Sequence, residues 1–158
     1  MKPEIGKKAP PFLGPATDGN LLSLESFKGK WVILYFYPKD NTPGCTQEGN
    51  DFTEHFKAFR KRNAEVVGVS RDSVSCHASF KEKFSFPFEL ISDEDEKICK
   101  TYDVIKEKNM YGKKSMGVER STFLIDPSGT LVHEWRKVRV SGHVEAVLAR
   151  LNALTASA

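Results

Sequence analysis

Residues Trp31 to Tyr37 read WVILYFY, an unbroken run of apolar, aromatic and β-branched side chains bounded by Gly29-Lys30 and by Pro38. A run with no polar alternation has no face to offer water. It fits a strand buried on both faces, and such strands sit in sheets covered by helices. A helix is expected next: Thr42 can cap it, Pro43 suits its first position, and Phe52, Phe56 and Phe59 recur at helical spacing up to about Lys61. AEVVGVS, Ala64 to Ser70, reads as a second strand. Ser73 to Phe84 reads as a second helix whose Cys76, Phe80 and Phe84 form an inward stripe. Parallel strands joined by a crossover helix make a right-handed unit with both helix N-termini at the carboxyl edge of the sheet, where chemistry is expected.

The rest of the chain turns antiparallel. A short helix is expected over Glu94 to Tyr102, then a basic, glycine-containing loop over Lys106 to Glu119. Ser121 to Asp126 and Thr130 to Val138 read as a hairpin through Pro127-Ser128-Gly129, and Val144 to Leu154 as a closing amphipathic helix. The order strand, helix, strand, helix, hairpin, helix is that of an α/β thioredoxin-like fold, a central mixed sheet flanked by helices. With 158 residues and neither repeat nor linker, the expectation is a single domain over residues 1–158 with its own core.

Composition narrows the function classes. No segment approaches the roughly 18 apolar residues of a membrane span, and MKPEIGKKAPPF lacks the apolar stretch of a secretion signal, so a cytoplasmic protein is expected. The net charge of +3 arises from 24 basic and 21 acidic residues spread along the chain, which is a solvated surface and not a nucleic-acid footprint. Three cysteines, an odd number, do not make a disulfide framework and are expected to be thiols unless chemistry uses them.

That chemistry centres on YFYPKDNTPGCTQEG, residues 35–49, which sets Cys45 just inside a helix leaving the buried strand. Unpaired backbone N–H groups and the positive end of the helix dipole stabilise thiolate over thiol there. A structural core cysteine is the simpler reading of a lone Cys. The preceding Pro38, Asp40, Asn41, Thr42, Pro43 and Gly44 suit a shaped, exposed loop instead.

On these residues the chain resembles the peroxiredoxins, and among them the bacterioferritin comigratory protein (PrxQ) branch. The pattern Pro-x-x-x-Thr-x-x-Cys appears as Pro38, Thr42 and Cys45 within PKDNTPGCT, and GVSRDS, FPFELISD and VERSTFLID extend the likeness over nearly the whole chain. The resemblance implies a peroxidase in which Cys45 attacks hydrogen peroxide or an organic hydroperoxide and becomes a sulfenic acid. It implies that Arg120 lies against the thiolate with a permanent charge, that Thr42 offers a hydroxyl while capping the helix, and that Pro38 shields the sulfur. The N–H groups of Gly44 and Cys45 would complete an anion nest. No metal or organic cofactor is implied. The expected partners are a hydroperoxide and a thiol reductant, thioredoxin or glutathione with glutaredoxin, and the expected state is a monomer.

One departure leaves the second half of the cycle open. Many members of the branch carry a further cysteine five residues after the first, where this chain has Asn50, and others carry one near the position of Lys81. Cys76 is then a possible resolving cysteine, with a one-cysteine route through an external thiol as its equal; Cys99 is expected only to pack. Rival activities fare worse. A dithiol oxidoreductase needs a cysteine at Thr42, a cysteine phosphatase needs arginine at Asp51, and a cysteine protease needs a base near the thiolate, whereas His55 falls almost three helical turns (~10 residues at ~3.6 per turn) below Cys45 and His77, His133 and His143 read as solvated or packing. A binding or chaperone module on the same scaffold stays open, since fold does not fix function, and no zinc-ligand spacing appears.

Overall fold

The structure is a computed structural model that describes residues 2–156. Two short antiparallel strands, β1 (Leu13–Pro15) and β2 (Leu21–Ser23), and a 3-10 turn at Leu24–Phe27 lead into the apolar run, which forms β3 (Trp31–Phe36). Pro38, with no N–H to give a neighbour, lies just beyond its end. α1 (Pro43–Glu54) follows, then α2 (Phe56–Lys61). The single helix expected as far as Lys61 is thus broken at His55, which closes α1 and opens α2.

β4 (Ala64–Ser70), α3 (Val74–Phe84) and β5 (Glu89–Ser92) complete two crossovers. β5 had no sequence expectation because FPFELISD is short and carries no clear alternation. α4 is shorter than expected, Lys97–Thr101 only. Glu96 sits at φ +64°, and the Asp93 carboxylate accepts the N–H groups of Ile98 and Cys99, so the helix cannot begin earlier.

The segment read as a basic loop is instead a hairpin, β6 (Ile105–Met110) against β7 (Lys113–Val118). Its residues are mostly exposed on both faces, so no apolar alternation betrays the strands. The turn carries the signal: Tyr111 at φ +54° and Gly112 at φ +78° have the paired positive φ values of a tight two-residue hairpin loop. β8 (Ser121–Ile125), β9 (Leu131–Trp135) and α5 (His143–Thr155) finish the chain. β9 stops short of the expected Val138 because Arg136 turns away to donate to the carbonyls of Tyr102 and Asp103.

The main sheet runs β5-β4-β3-β8-β9, with β3 parallel to β4 and antiparallel to β8. This is the mixed sheet of the thioredoxin-like fold. Alternate residues of β3 serve two cores. Val32, Leu34 and Phe36 pack with Phe12, Ile98 and Tyr102, while Ile33 and Tyr35 pack with Phe52, Phe80 and Leu151 from the helices of the other face. Each such fully buried side chain contributes roughly 1.5–3 kcal/mol of transfer free energy. β3 is thereby immobilised from both sides, and α1 leaves from its carboxyl end. Among the described residues no helix is long and apolar enough to cross a membrane.

Candidate active site

Cys45 lies in the first turn of α1, where helical geometry leaves the N–H groups of Gly44 and Cys45 without partners along the helix. The loop before it is exposed at Lys39, Asn41 and Pro43, but Asp40 and Cys45 itself are turned inward, Cys45 being 2% exposed. Arg120, between β7 and β8, donates from Nη2 to Cys45 Sγ at 3.4 Å. Its Nη1 donates to Glu48 Oε1 at 2.6 Å. One guanidinium therefore bridges a sulfur and a carboxylate one helical turn apart, with the fork geometry that lysine lacks. A Cβ on Gly44 would stand 3.1 Å from Nη2, so the glycine is what lets the guanidinium lie across the helix end.

Glu48 is wholly buried, and its Oε2 has no hydrogen-bond partner among the described residues. Burial pushes its carboxyl up to about 7, against the opposing pull of Arg120. Burial also weighs against the charge of Arg120, yet Glu48 and Cys45 together raise its pKa further. From the β6–β7 hairpin Lys108 lays its stem over Gly117; burial, then the nearby charges of Arg120 and Arg71, hold its ammonium below the usual lysine range. Neither Glu48 nor Lys108 stood out in the sequence. Glu48 shares a helical face with Cys45 and the buried Phe52, which was the available clue.

Thr42 occupies the cap position of α1, but its hydroxyl does not cap. It donates to Lys39 O at 2.7 Å, closing the loop on itself. Pro38 is half-buried at the start of the same loop. Cys76 does not join the inward stripe: it is exposed in the first turn of α3, and His77 takes the inward place beside Phe80. His77, read as solvated or packing, packs in the interior and is hydrogen-bonded there as well. Its Nδ1 lies 2.7 Å from Asp40 Oδ2 and its Nε2 3.0 Å from Ile91 O, fully buried. His143 likewise has a partner, Thr122 Oγ1 at 2.8 Å, and burial, then Arg120, pulls its pKa down to about 4. Cys99 is buried beneath Asp93, and burial pushes its thiol well up. All three cysteines are free.

Asp40, Asp72 and His77 bring three ligand-type atoms within 4.8 Å of one another. Those atoms are already engaged: Asp40 with Tyr37 and His77, Asp72 with Ser70 and the Asp40 amide. The cluster is a closed hydrogen-bond network.

Comparison with known proteins agrees with this geometry. The AhpC/TSA family profile matches residues 5–134. The chain belongs to that family. It is a peroxiredoxin, a thiol-dependent peroxidase. Similar proteins include "Peroxiredoxin Bcp" of Xanthomonas campestris, 55% identical over 85% of this chain and 84% of that protein. "Peroxiredoxin Bcp" of Bacillus subtilis is 48% identical over 96% of each. A solved Xylella fastidiosa PrxQ mutant superposes with TM-score 0.91 at 45% identity over 96% of both chains. A Xanthomonas campestris bacterioferritin comigratory protein, described for its alkyl peroxide reduction activity, gives 0.87 at 51% identity over 91% of this chain and 92% of the other. The PrxQ branch expected from PKDNTPGCT is therefore the correct one.

Proposed function

We propose that this peroxiredoxin reduces hydrogen peroxide and organic hydroperoxides through Cys45. The thiolate attacks the distal oxygen of ROOH and forms an S–O bond as the O–O bond breaks; the departing alkoxide takes a proton and leaves as ROH or water. Sulfur is oxidised by two electrons to the sulfenic acid. Arg120 supports the thiolate and the polarised oxygens, and the Gly44 and Cys45 N–H groups support the charge that develops. The single observation that carries this reading is the Arg120–Cys45 contact at 3.4 Å across Gly44. The alkyl peroxide activity described for the Xanthomonas protein supports the organic substrates. Rapid-mixing measurement of peroxide consumption, with the mass of the Cys45 peptide before and after, tests it: one added oxygen is expected, and Cys45→Ser should consume no peroxide.

Resolution is assigned to Cys76, whose thiol attacks the sulfenic sulfur, expels water and leaves a disulfide that thioredoxin, or glutaredoxin with glutathione, reduces. Two observations support it. Cys76 is exposed, and it immediately precedes His77, which touches Asp40 in the loop that leads to Cys45. The chain is taken to work as one domain, as a monomer and in the reducing cytoplasm, where its three free thiols are at home.

A further inference from the structure

The loop that leads to Cys45 is tied down by one residue. Asp40 Oδ1 accepts the Tyr37 hydroxyl at 2.6 Å, Oδ2 faces His77 Nδ1 at 2.7 Å, and its backbone N–H donates to Asp72 Oδ2 at 2.9 Å. Asp72 is itself held by Ser70, and its carbonyl accepts the Ser92 hydroxyl. His77 Nε2 faces the Ile91 carbonyl, which can only accept, so Nε2 carries a proton and a second proton lies between Nδ1 and Oδ2. Asp40 thus anchors the loop to Tyr37 just past β3, to the β4–α3 turn, to α3 and, through His77, to β5.

The next residue shows what this anchorage holds. Asn41 sits at φ +63°, a left-handed conformation that asparagine tolerates better than most residues and that turns the chain from the anchored Asp40 toward α1. Its dihedrals set the position of Thr42 and of the first turn of α1, where Cys45 lies. The hydrogen bonds of Asp40 and His77 join them to each other and to Tyr37, Asp72 and Ile91, and none ends on the sulfur. Neither residue serves the chemistry through contact.

We propose that the buried Asp40–His77 pair is a positioning device that keeps the Pro38–Thr42 loop, with Asn41 left-handed, in the shape that presents peroxide to Cys45. The proposal rests on the reading of Cys45 as nucleophile. The bonds, not the charge, do the positioning. In D40N the new side-chain amide would accept from Tyr37 through its oxygen and donate through its nitrogen to an unprotonated His77 Nδ1, leaving every bond in place. Glutamine in place of His77 cannot put donors where two ring nitrogens stood.

The experiment compares D40N, H77Q and D40A with the wild-type protein, using hydrogen peroxide and iodoacetamide as probes and following the Cys45 peptide by mass. Alkylation needs a thiolate but no peroxide-shaped loop. The expected result is a peroxide rate within about twofold of wild type for D40N and about tenfold or more slower for H77Q and D40A, with alkylation of Cys45 within about twofold in all three. Circular dichroism establishes that each variant is folded, and if D40A is not, the volume-preserving pair D40N and H77Q decides alone. Wild-type peroxide rates in H77Q would overturn the proposal. So would a D40N as slow as H77Q, which would make the charge responsible, or alkylation that slows in step with peroxide reduction. Absence of oxygen addition at wild-type Cys45 would overturn the nucleophile reading itself, a result visible without any variant.

Discussion

Arg120 reaches Cys45 across the one position in the helix end that has no side chain, Gly44. The guanidinium gives one nitrogen to the sulfur and the other to Glu48, so its plane is fixed from two sides. Arg120→Lys keeps the charge but cannot hold both partners. The expected outcome is a fall of about a hundredfold in the second-order rate with hydrogen peroxide, measured by rapid mixing. Arg136 cannot substitute, because it is engaged with Glu134, Tyr102 and Asp103. A rate within a few-fold of wild type would remove Arg120 from the reaction.

Gly44→Ala separates stability from activity. The backbone at Gly44 is ordinary right-handed helix, so alanine is tolerated and gains up to about 1 kcal/mol of helix propensity. Its Cβ would nonetheless press on Arg120 Nη2 at 3.1 Å and approach Val140 Cγ2 at 3.9 Å. The protein should melt at an unchanged or higher temperature while the peroxide rate falls about tenfold. Parallel loss of both would mean that the glycine serves folding only.

Much of this site follows from local sequence, and the part that does not follows from contacts distant along the chain. WVILYFY, with no polar alternation, fits a strand buried on both faces, and Thr42-Pro43-Gly44 ahead of Cys45 fits a helix start. Arg120 became visible through resemblance, since nothing near residue 120 betrays a partner 75 positions earlier. Glu48 and His77 were missed for one shared reason: polar residues on an apolar helix face look misplaced until their partners, Arg120 and Asp40, are seen. In α3 the stripe holds at Phe80 and Phe84 but not at its first member, where His77, three residues before Phe80, faces the core in place of Cys76. The β6–β7 hairpin escaped because hydrophobic period reports burial, and this hairpin buries little.

Two buried groups give the protein opposing pH dependences. The Glu48 pKa, raised by burial from 4.5 to about 7, means that the folded state holds a proton the unfolded chain releases, so stability is lost as pH rises through that window. His143, lowered from 6.5 to about 4, does the reverse: stability is lost as pH falls from 6.5 toward 4. Glu48→Gln removes the first effect alone. Denaturant unfolding between pH 4.5 and 7 should show the variant gaining on wild type steadily as pH rises. A difference that stays constant across the range would mean that Glu48 is ionised throughout.

The resolving step gives the last test, because two routes predict opposite behaviour of one variant. Cys76 sits in a first turn held by the Ser73 hydroxyl, which accepts the Cys76 N–H at 3.2 Å, and by His77 on Asp40. Cys45 is buried and Cys76 exposed, and a disulfide between them needs their Cα atoms within about 7 Å. If Cys76 resolves, Cys76→Ser should still consume one equivalent of peroxide, form no internal disulfide, lose turnover with thioredoxin and overoxidise readily to the sulfinic acid. Unchanged turnover would instead assign resolution to an external thiol acting at Cys45. Cys99→Ser is the control. Its thiol is buried beside Asp93, so a hydroxyl there should lower stability by roughly 1–3 kcal/mol and leave turnover intact. Turnover lost in a folded Cys99→Ser protein, with Cys76→Ser still active, would move the resolving role to Cys99.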